Sequence, residues 1–364
     1  MKVLHLFNEL RFSGAELLLY SGAKQFLSAG EHVVLSTGEQ IGDFGSALSE
    51  KGFRVEHLPF RKTPGFFVRL FEVVHSGKYD LVHLHPERGA FWNTIAIRTA
   101  GCPCVRTIHS EFLFEGGLRF RRRLQRQIAA KLGVRYVACS PSVARNEAAR
   151  FNIRPVVIEN WIDPSRVYRT SEHRRREARR RLSIPENAFV IVSIGNYGPA
   201  KNQEAIVEAI RQSRSSSNII YLHCGAGAER LKHAVDQRVF SQIRFLGVVR
   251  DIADILAASD VFVSTSFHEG GPIALLEAAA AGILCITTRV GLAETFAGCR
   301  GIFFIEPEAR SLSHAIDSLT GLSVEERLEL GTGLSDRVMN TFVPDIGVQK
   351  YIALYSDILS ARTH

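Results

Sequence analysis

A chain of 364 residues exceeds what one hydrophobic core comfortably holds, so two domains of similar size are expected. With 46% hydrophobic and 23% charged residues it has an ordinary globular composition, which excludes a disordered or fibrous chain. The net charge of +8 is uneven, with +7 over residues 1–165, +5 over 166–187 and −4 over 188–364, so something acidic is expected to meet the first half.

The opening MKVLHLFNELRF has too short an apolar run for a signal-peptide core, and the longest apolar stretch, 278–288, falls short of a membrane span. The expectation is a cytoplasmic protein, peripheral at most on the inner face of the plasma membrane. Residues 2–7 read as a strand, followed by a turn ending in Ser13-Gly14 and a helix from Ala15 to Ser28. This is a nucleotide-fold opening without a GxGxxG fingerprint. Strands near 32–37, 54–58, 80–84, 104–108 and 135–139 alternate with helix-length segments, which implies a parallel sheet covered on both faces. In such sheets ligands sit beyond the carboxyl ends of the strands. Three of those ends carry polar residues: the Ser13-Gly14 turn, HLHPE at 83–87, and His109-Ser110-Glu111.

His83 and His85, two apart, face one side of a strand, but no third ligand of suitable spacing is near them. The 13 histidines form no HExxH, and the six cysteines, at 102, 104, 139, 224, 285 and 299, form no CxxC. Buried structural thiols are expected, with no metal and no cofactor. Segment 118–135 carries seven cations and no acid, while Phe120, Leu124, Ile128 and Leu132 recur every fourth position. Such a stripe under a cationic face suits an anionic membrane surface, or else simply packs on the sheet. Residues 155–163 end the first half in a strand and a polar turn. The arginine-rich 171–182, opened by Ser171 as N-cap, reads as part of a basic linker over 166–187 with a solvated face. It has no interleaved aromatics, so no nucleic-acid partner is expected.

The second half restarts the alternation with strands at 189–194, 219–223, 243–246, 260–264 and 283–288. Between them lie the turn GNYGPAKN at 195–202, where Lys201 can neutralise a diphosphate, and the loop Gly225-Ala226-Gly227 followed by a helix. The stretch 264–288, STSFHEGGPIALLEAAAAGILCITT, places Glu269 in a glycine turn and Glu277 inside an almost wholly apolar helix that begins at Pro272. A buried carboxylate needs a partner or a ligand. The Gly270-Gly271 turn leaves N–H groups open at the positive end of the helix dipole, where a phosphate is favoured. The last helix, 344–360, can pack back across the first domain.

Taken together, Gly-Ala-Glu at 14–16, DLVHLH at 80–85, TIH at 107–109, NWID at 160–163, the Gly195 to Lys201-Asn202 turn, the Gly225 to Gly227 loop, FLG at 245–247 and the Glu269-x7-Glu277 pair resemble retaining glycosyltransferases of family 4. The resemblance covers essentially the whole chain and implies the GT-B fold, two Rossmann-like domains about a cleft. It implies an N-terminal acceptor domain over 1–165, a donor domain over 188–343, and a C-terminal segment 344–364 returning to the first domain. By the same resemblance Glu269 would hold donor-sugar hydroxyls, Glu277 the ribose, and Lys201 the diphosphate. Gly195, Asn196, Gly247, Gly270, Gly271, Pro272 and Ile273 would line the donor. His109 would be catalytic, with Ser13, Gly14 and His85 on the acceptor side. Two positions depart from the family. Asn196 stands where an arginine is usual, leaving Lys201 alone or with an arginine such as Arg289, and Ser13 replaces a glycine.

The expected function is retaining transfer of a hexose-type sugar, without metal, from a nucleotide diphosphate sugar to a glycan or lipid-linked acceptor in cell-surface polysaccharide or lipopolysaccharide biosynthesis. The alternatives are a sugar-nucleotide epimerase of the same fold, which would need no acceptor, and a non-catalytic basic binding module, which would show steeply salt-dependent binding.

Overall fold

The computed structural model describes residues 1–227, 230–232 and 237–361. It divides into two units, residues 1–161 with 344–364, and residues 162–343. The first holds a seven-stranded parallel sheet in the order β3-β2-β1-β4-β5-β6-β7. Its strands are β1 (Lys2–Phe7), β2 (Glu31–Ser36), β3 (Arg54–His57), β4 (Leu81–Leu84), β5 (Cys104–Ile108), β6 (Arg135–Ala138) and β7 (Val156–Val157). The second holds six parallel strands in the order β10-β9-β8-β11-β12-β13. These are β8 (Phe189–Ile194), β9 (Ile219–Cys224), β10 (Ile243–Gly247), β11 (Val261–Ser264), β12 (Leu284–Thr288) and β13 (Ile302–Ile305).

The central strands read as unbroken apolar runs because both faces are covered. In the second unit, alternate residues separate cleanly. Val190, Val192, Phe262 and Cys285 enter one core, while Phe189, Ile191, Val261, Val263 and Ile286 enter the other. None of the six cysteines is in a disulfide, and all but the half-buried Cys299 are buried. The strand β13 was not foreseen, although its IFFI run after Gly301 is an apolar strand signal. The helix expected after Gly227 lies partly outside the described residues.

The basic segment 166–187 is not a linker but belongs to the second unit. Its helix, Glu172–Arg181, is capped by Ser171 as expected, yet its charge run is only half solvated. Arg175 and Arg179 are buried and reach the buried Asp260, at 3.0 Å and 2.7 Å. Arg327 joins them at 3.2 Å, and the Val190 N–H donates to the same carboxylate at 2.7 Å. The remaining guanidinium donors of Arg179 find carbonyls of Ala188, Pro185, Glu186 and Ala258. An arginine run reads as surface, but five fork-like donors allow burial wherever enough acceptors converge.

The apolar stripe of the helix Gly116–Lys131 also departs from one of its two expected readings. It does not pack on the sheet: Phe120 is 71% and Leu124 48% exposed. The helix is held instead through Arg126, 1% exposed, which pairs with Glu147 at 2.7 Å and Glu87 at 3.2 Å. The helices Ala90–Thr99 and Pro64–Ser76 follow it across the unit and expose Trp92 and Val68. No helix among the described residues is long and apolar enough to cross a membrane.

The C-terminal helix Pro344–Ser360 packs on the helix Ala23–Ala29 and buries Tyr351 and Tyr355 in the first unit. Gly347 lets the same helix lie against Trp161, since a Cβ there would stand 2.1 Å from the indole ring.

Removing a carboxylate that neutralises buried arginines leaves uncompensated charge, which costs about 3–5 kcal/mol. Asp260→Ala is therefore expected to lower the free energy of unfolding in urea by that amount, whereas Asp254→Ala, at the exposed pair with Arg181, should leave it nearly unchanged.

Candidate active site

In the second unit the strand order turns back between β8 and β11, the place where open α/β sheets bind ligands. Two loops leave the carboxyl ends of these neighbours. After β8, Gly195 adopts φ +149°, and the Lys201 Nζ lies 3.7 Å from where its Cβ would stand. The turn closes through Pro199–Lys201 and Asn202, whose φ is +52°. After β11, the loop through Glu269 is stitched to that turn. Thr265 Oγ1 donates to Asn202 O at 2.7 Å, Phe267 N donates to Ala200 O at 2.8 Å, and Asn202 Nδ2 donates to Thr265 O at 3.3 Å. From β12, Thr288 Oγ1 donates to Ser266 O at 2.6 Å. Gly291, at φ +59°, lets the next turn close on Glu269 and Gly270, because a Cβ there would meet Gly270 O at 2.5 Å.

These loops bring Lys201 and Glu269 together. Lys201 Nζ donates to Glu269 Oε1 at 2.5 Å, and Ser266 Oγ donates to the same oxygen at 2.7 Å. Glu269 Oε2 makes no hydrogen bond among the described residues, so it is an available acceptor beside an ammonium group. Gly270 and Gly271 follow, and the helix spans Ile273–Ala280 with Pro272 at its N-cap rather than at its first position. The extended ψ of 98° at Pro272 is what places it outside the helix.

Glu277 is 6% exposed. Its nearest cation is Arg166, with Nη1 3.7 Å from Oε1, beyond hydrogen-bond reach, while Arg166 Nη2 donates to Arg250 O. Burial, incompletely offset by Arg166 and reinforced by Asp163, pushes the Glu277 carboxyl up to about 7. Arg166 lies in the segment read as linker, so sequence reasoning had no reason to bring it here.

Asn196 does what an arginine could not. Its Oδ1 accepts from Ala226 N at 2.9 Å, tying the turn to the Gly225–Gly227 loop. Gly225 N donates in turn to Gly247 O at 2.7 Å, which places Gly247 as the anchor of that loop at the end of β10. Arg289, the cation named as a substitute, stacks on Phe304 with its guanidinium 4.2 Å from the ring centroid.

In the first unit, Ser13 stands at the N-cap position of the helix Gly14–Ser21 without bonding its N–H groups, and its hydroxyl donates instead to the Glu16 carboxylate. Burial raises the Glu16 carboxyl above its ordinary value. Ser13 and Glu16 line a cavity of about 700 Å³ beside Asn8, Lys62, Arg88 and Asn93, at the carboxyl ends of β1 and β2 and the segment after β3. His85 and His109, at the ends of β4 and β5, meet nitrogen to nitrogen at 3.2 Å. The third imidazole that the sequence did not place near His83 and His85 is His5 on β1, with ligand atoms of all three within 4.8 Å. Both nitrogens of His83 are nevertheless engaged, with Tyr355 Oη at 2.6 Å and Thr107 Oγ1 at 2.7 Å. Ser266, Gly291, Arg166 and His5 were all missed. For His5 the signal was a titratable residue in the middle of an apolar strand.

Two family models match this chain, "Glycosyltransferase Family 4" over residues 12–166 and "Glycosyl transferases group 1" over residues 174–332. The chain belongs to glycosyltransferase family 4. A curated relative, the UDP-Gal:alpha-D-GlcNAc-diphosphoundecaprenol alpha-1,3-galactosyltransferase of Escherichia coli, is 29% identical over 238 residues, 61% of either chain. The lipopolysaccharide core biosynthesis glycosyltransferase LpsE of Rhizobium meliloti is 28% identical over 211 residues, 57% of this chain and 58% of its own. The chain thus spans about three fifths of these relatives. Among solved structures, HepE of Anabaena in complex with UDP and glucose superposes with a TM-score of 0.82 at 21% identity, covering 98% of this chain and 100% of its own. WaaG, a glycosyltransferase of lipopolysaccharide biosynthesis, gives 0.77 at 16% identity, covering 98% and 99%. The fold of this family 4 member is GT-B.

Because Glu277 binds its proton more tightly folded than unfolded, stability falls as pH rises from its ordinary 4.5 to about 7, then stays level. The loss is at most about 3 kcal/mol. Glu277→Gln is expected to melt at a higher temperature than the unaltered protein at pH 8, with the difference shrinking towards pH 4.5, as followed by circular dichroism.

Proposed function

We propose that the protein transfers a sugar, with retention and without metal, from a nucleotide diphosphate sugar to a glycan or lipid-linked acceptor, in the building of a cell-surface polysaccharide or lipopolysaccharide. The observation that carries this reading is the Lys201–Glu269–Ser266 cluster at the strand-order reversal of the second unit. An ammonium group has three donors, so the one given to Glu269 leaves two for diphosphate oxygens. Glu269 Oε2 then accepts from donor-sugar hydroxyls, and the positive end of the dipole of the helix Ile273–Ala280 faces negative charge. Glu277 supplies an acceptor for the ribose hydroxyls. Ligand hydroxyls donated to it would offset the desolvation that now raises its carboxyl.

In the reaction, the bond between the anomeric carbon and the phosphate oxygen breaks. The leaving phosphate takes the acceptor hydroxyl's proton on the same face, and the acceptor oxygen bonds to the carbon from that face. The positive charge at this site comes from Lys201 and from the positive end of the helix dipole, while the neutral Asn196 bonds to its loop. UDP-Gal in the name of one relative and UDP in the structure of one neighbour make uridine nucleotides the first donors to test. The cavity at Ser13 and Glu16, with the cations of Lys62 and Arg88, is the proposed acceptor side. The exposed Phe120 and Leu124, set among Arg119, Arg121 and Arg123, form the proposed contact with an anionic membrane surface, where a lipid-linked acceptor would reside. Each such cation adds about 1 kcal/mol of attraction.

Glu269→Ala should fold normally and release nucleotide diphosphate from donor and acceptor roughly 100-fold more slowly, the scale expected for a lost stabilising contact at a reacting centre. Near-normal release would sink the assignment. A thermal-shift panel of nucleotide sugars should give a rise in melting temperature with one donor, because a ligand that binds only the folded state stabilises it. Phe120→Ser with Arg121→Ser should lower co-sedimentation with vesicles containing anionic lipid; equal sedimentation of both proteins with anionic and neutral vesicles would remove the membrane reading.

A further inference from the structure

Four histidines form a continuous file across the first sheet. His32 stands on β2, His5 on β1, and His85 and His109 just beyond β4 and β5, so the file follows the spatial strand order β2-β1-β4-β5. His32 Nδ1 meets His5 Nε2 at 2.9 Å, His5 Nδ1 meets His85 Nε2 at 3.3 Å, and His85 Nδ1 meets His109 Nε2 at 3.2 Å. Successive rings are inclined by only 28°, 24° and 19°, so they lie nearly parallel and touch nitrogen to nitrogen. Burial holds all four rings neutral, pushing His32 and His109 down to about 4 and His5 and His85 well below the ordinary histidine range.

The protons of such a file can be counted. A neutral imidazole carries one N–H and one bare nitrogen. Four rings bring four N–H groups, and the three contacts take one each. The fourth must therefore stand at an end, on His32 Nε2 or on His109 Nδ1. His32 Nε2 is buried and has no hydrogen-bond partner. An orphaned buried N–H is the rarer and costlier defect, while a bare lone pair is better tolerated there. His109 is only half-buried, and its Nδ1 makes no hydrogen bond among the described residues. The donors then all run one way, from His32 to His5 to His85 to His109.

We propose that this file locks His109 in the Nδ1–H tautomer and so makes it a fixed hydrogen-bond donor to a substrate oxygen beyond β5, with His5, His32 and His85 as positioning residues. In this role His109 is not a proton acceptor at Nδ1. That the oxygen belongs to a transferase substrate rests on the function proposed above; the tautomer does not.

The test is nitrogen NMR on the full chain with labelled histidine, where protonated and bare imidazole nitrogens resonate far apart. His109→Gln identifies the His109 signals by their loss. At pH 7, in the absence of donor and acceptor, His109 is expected to show a protonated Nδ1 and a bare Nε2. The reverse assignment, an even mixture or an imidazolium overturns the proposal. His32→Asn, whose amide N–H can still donate to His5, should keep that pattern, and His32→Leu should let His109 become a mixture. If His109 is unchanged in a folded His32→Leu protein, the file does not set its tautomer. Should that variant fail to fold, the measurement on the unaltered protein decides alone. Sugar transfer is not part of the readout, so a wrong tautomer and a wrong activity fail separately.

Discussion

The contact between Lys201 and Glu269 is the constraint on which the rest of the second unit's site depends. Two opposite charges at the ends of adjacent strands hold both loops at once, and the geometry between them is locked further by hydrogen bonds to main-chain carbonyls. Thr265, Asn202 and Thr288 contribute short polar side chains that bond to main-chain carbonyls, and Gly291 contributes the absence of one. A pair at the surface of a helix would be worth little. Here the pair lies half inside the protein at the mouth of a sheet, and a phosphate-bearing ligand would enter an electrostatic arrangement already in place.

Glu277 represents the opposite condition. Its charge is incompletely answered by the protein, with Arg166 at 3.7 Å too distant to hydrogen-bond. Polar groups buried without full compensation are destabilising, and they persist where a ligand completes them. The two acids are separated by eight positions, yet one carboxylate oxygen of Glu269 is held by an ammonium and a hydroxyl, while Glu277 has only a guanidinium at 3.7 Å. That difference divides their tasks: Glu269 organises the loops before a ligand arrives, and Glu277 waits for one.

Much of this was legible in the sequence because parallel strands buried on both faces leave unmistakable apolar runs, and because glycine turns and isolated acids interrupt them at strand ends. Thus β8, β11 and β12, the Lys201 turn and the Glu269–Glu277 element stand close to where the residues alone put them. Long-range pairings were not legible. Arg175 and Arg179 read as solvated because nothing local reveals Asp260, some eighty positions away. Arg166 read as linker for the same reason. The stripe of Phe120 and Leu124 has a helical period that fixes which residues share a face, but the period does not say whether that face meets the sheet or the solvent. His5 and His32 were passed over because each is a lone histidine in its own strand, and only the order in which the strands pair makes them a row.

The helix Pro344–Ser360 has a consequence for how the chain is made. Tyr351 Oη meets Thr107 Oγ1 at 2.9 Å and Tyr355 Oη meets His83, so residues beside the histidine file are completed by a segment synthesised after the whole second unit. The first unit is discontinuous, and the whole of the second lies between its parts. On a ribosome the second unit can reach its native state while the first, although begun earlier, still lacks two tyrosines and the cover they provide. Maturation of the histidine file is thereby coupled to synthesis of the helix Pro344–Ser360, and a chain cut short before residue 344 would carry one finished nucleotide-type sheet and one unfinished.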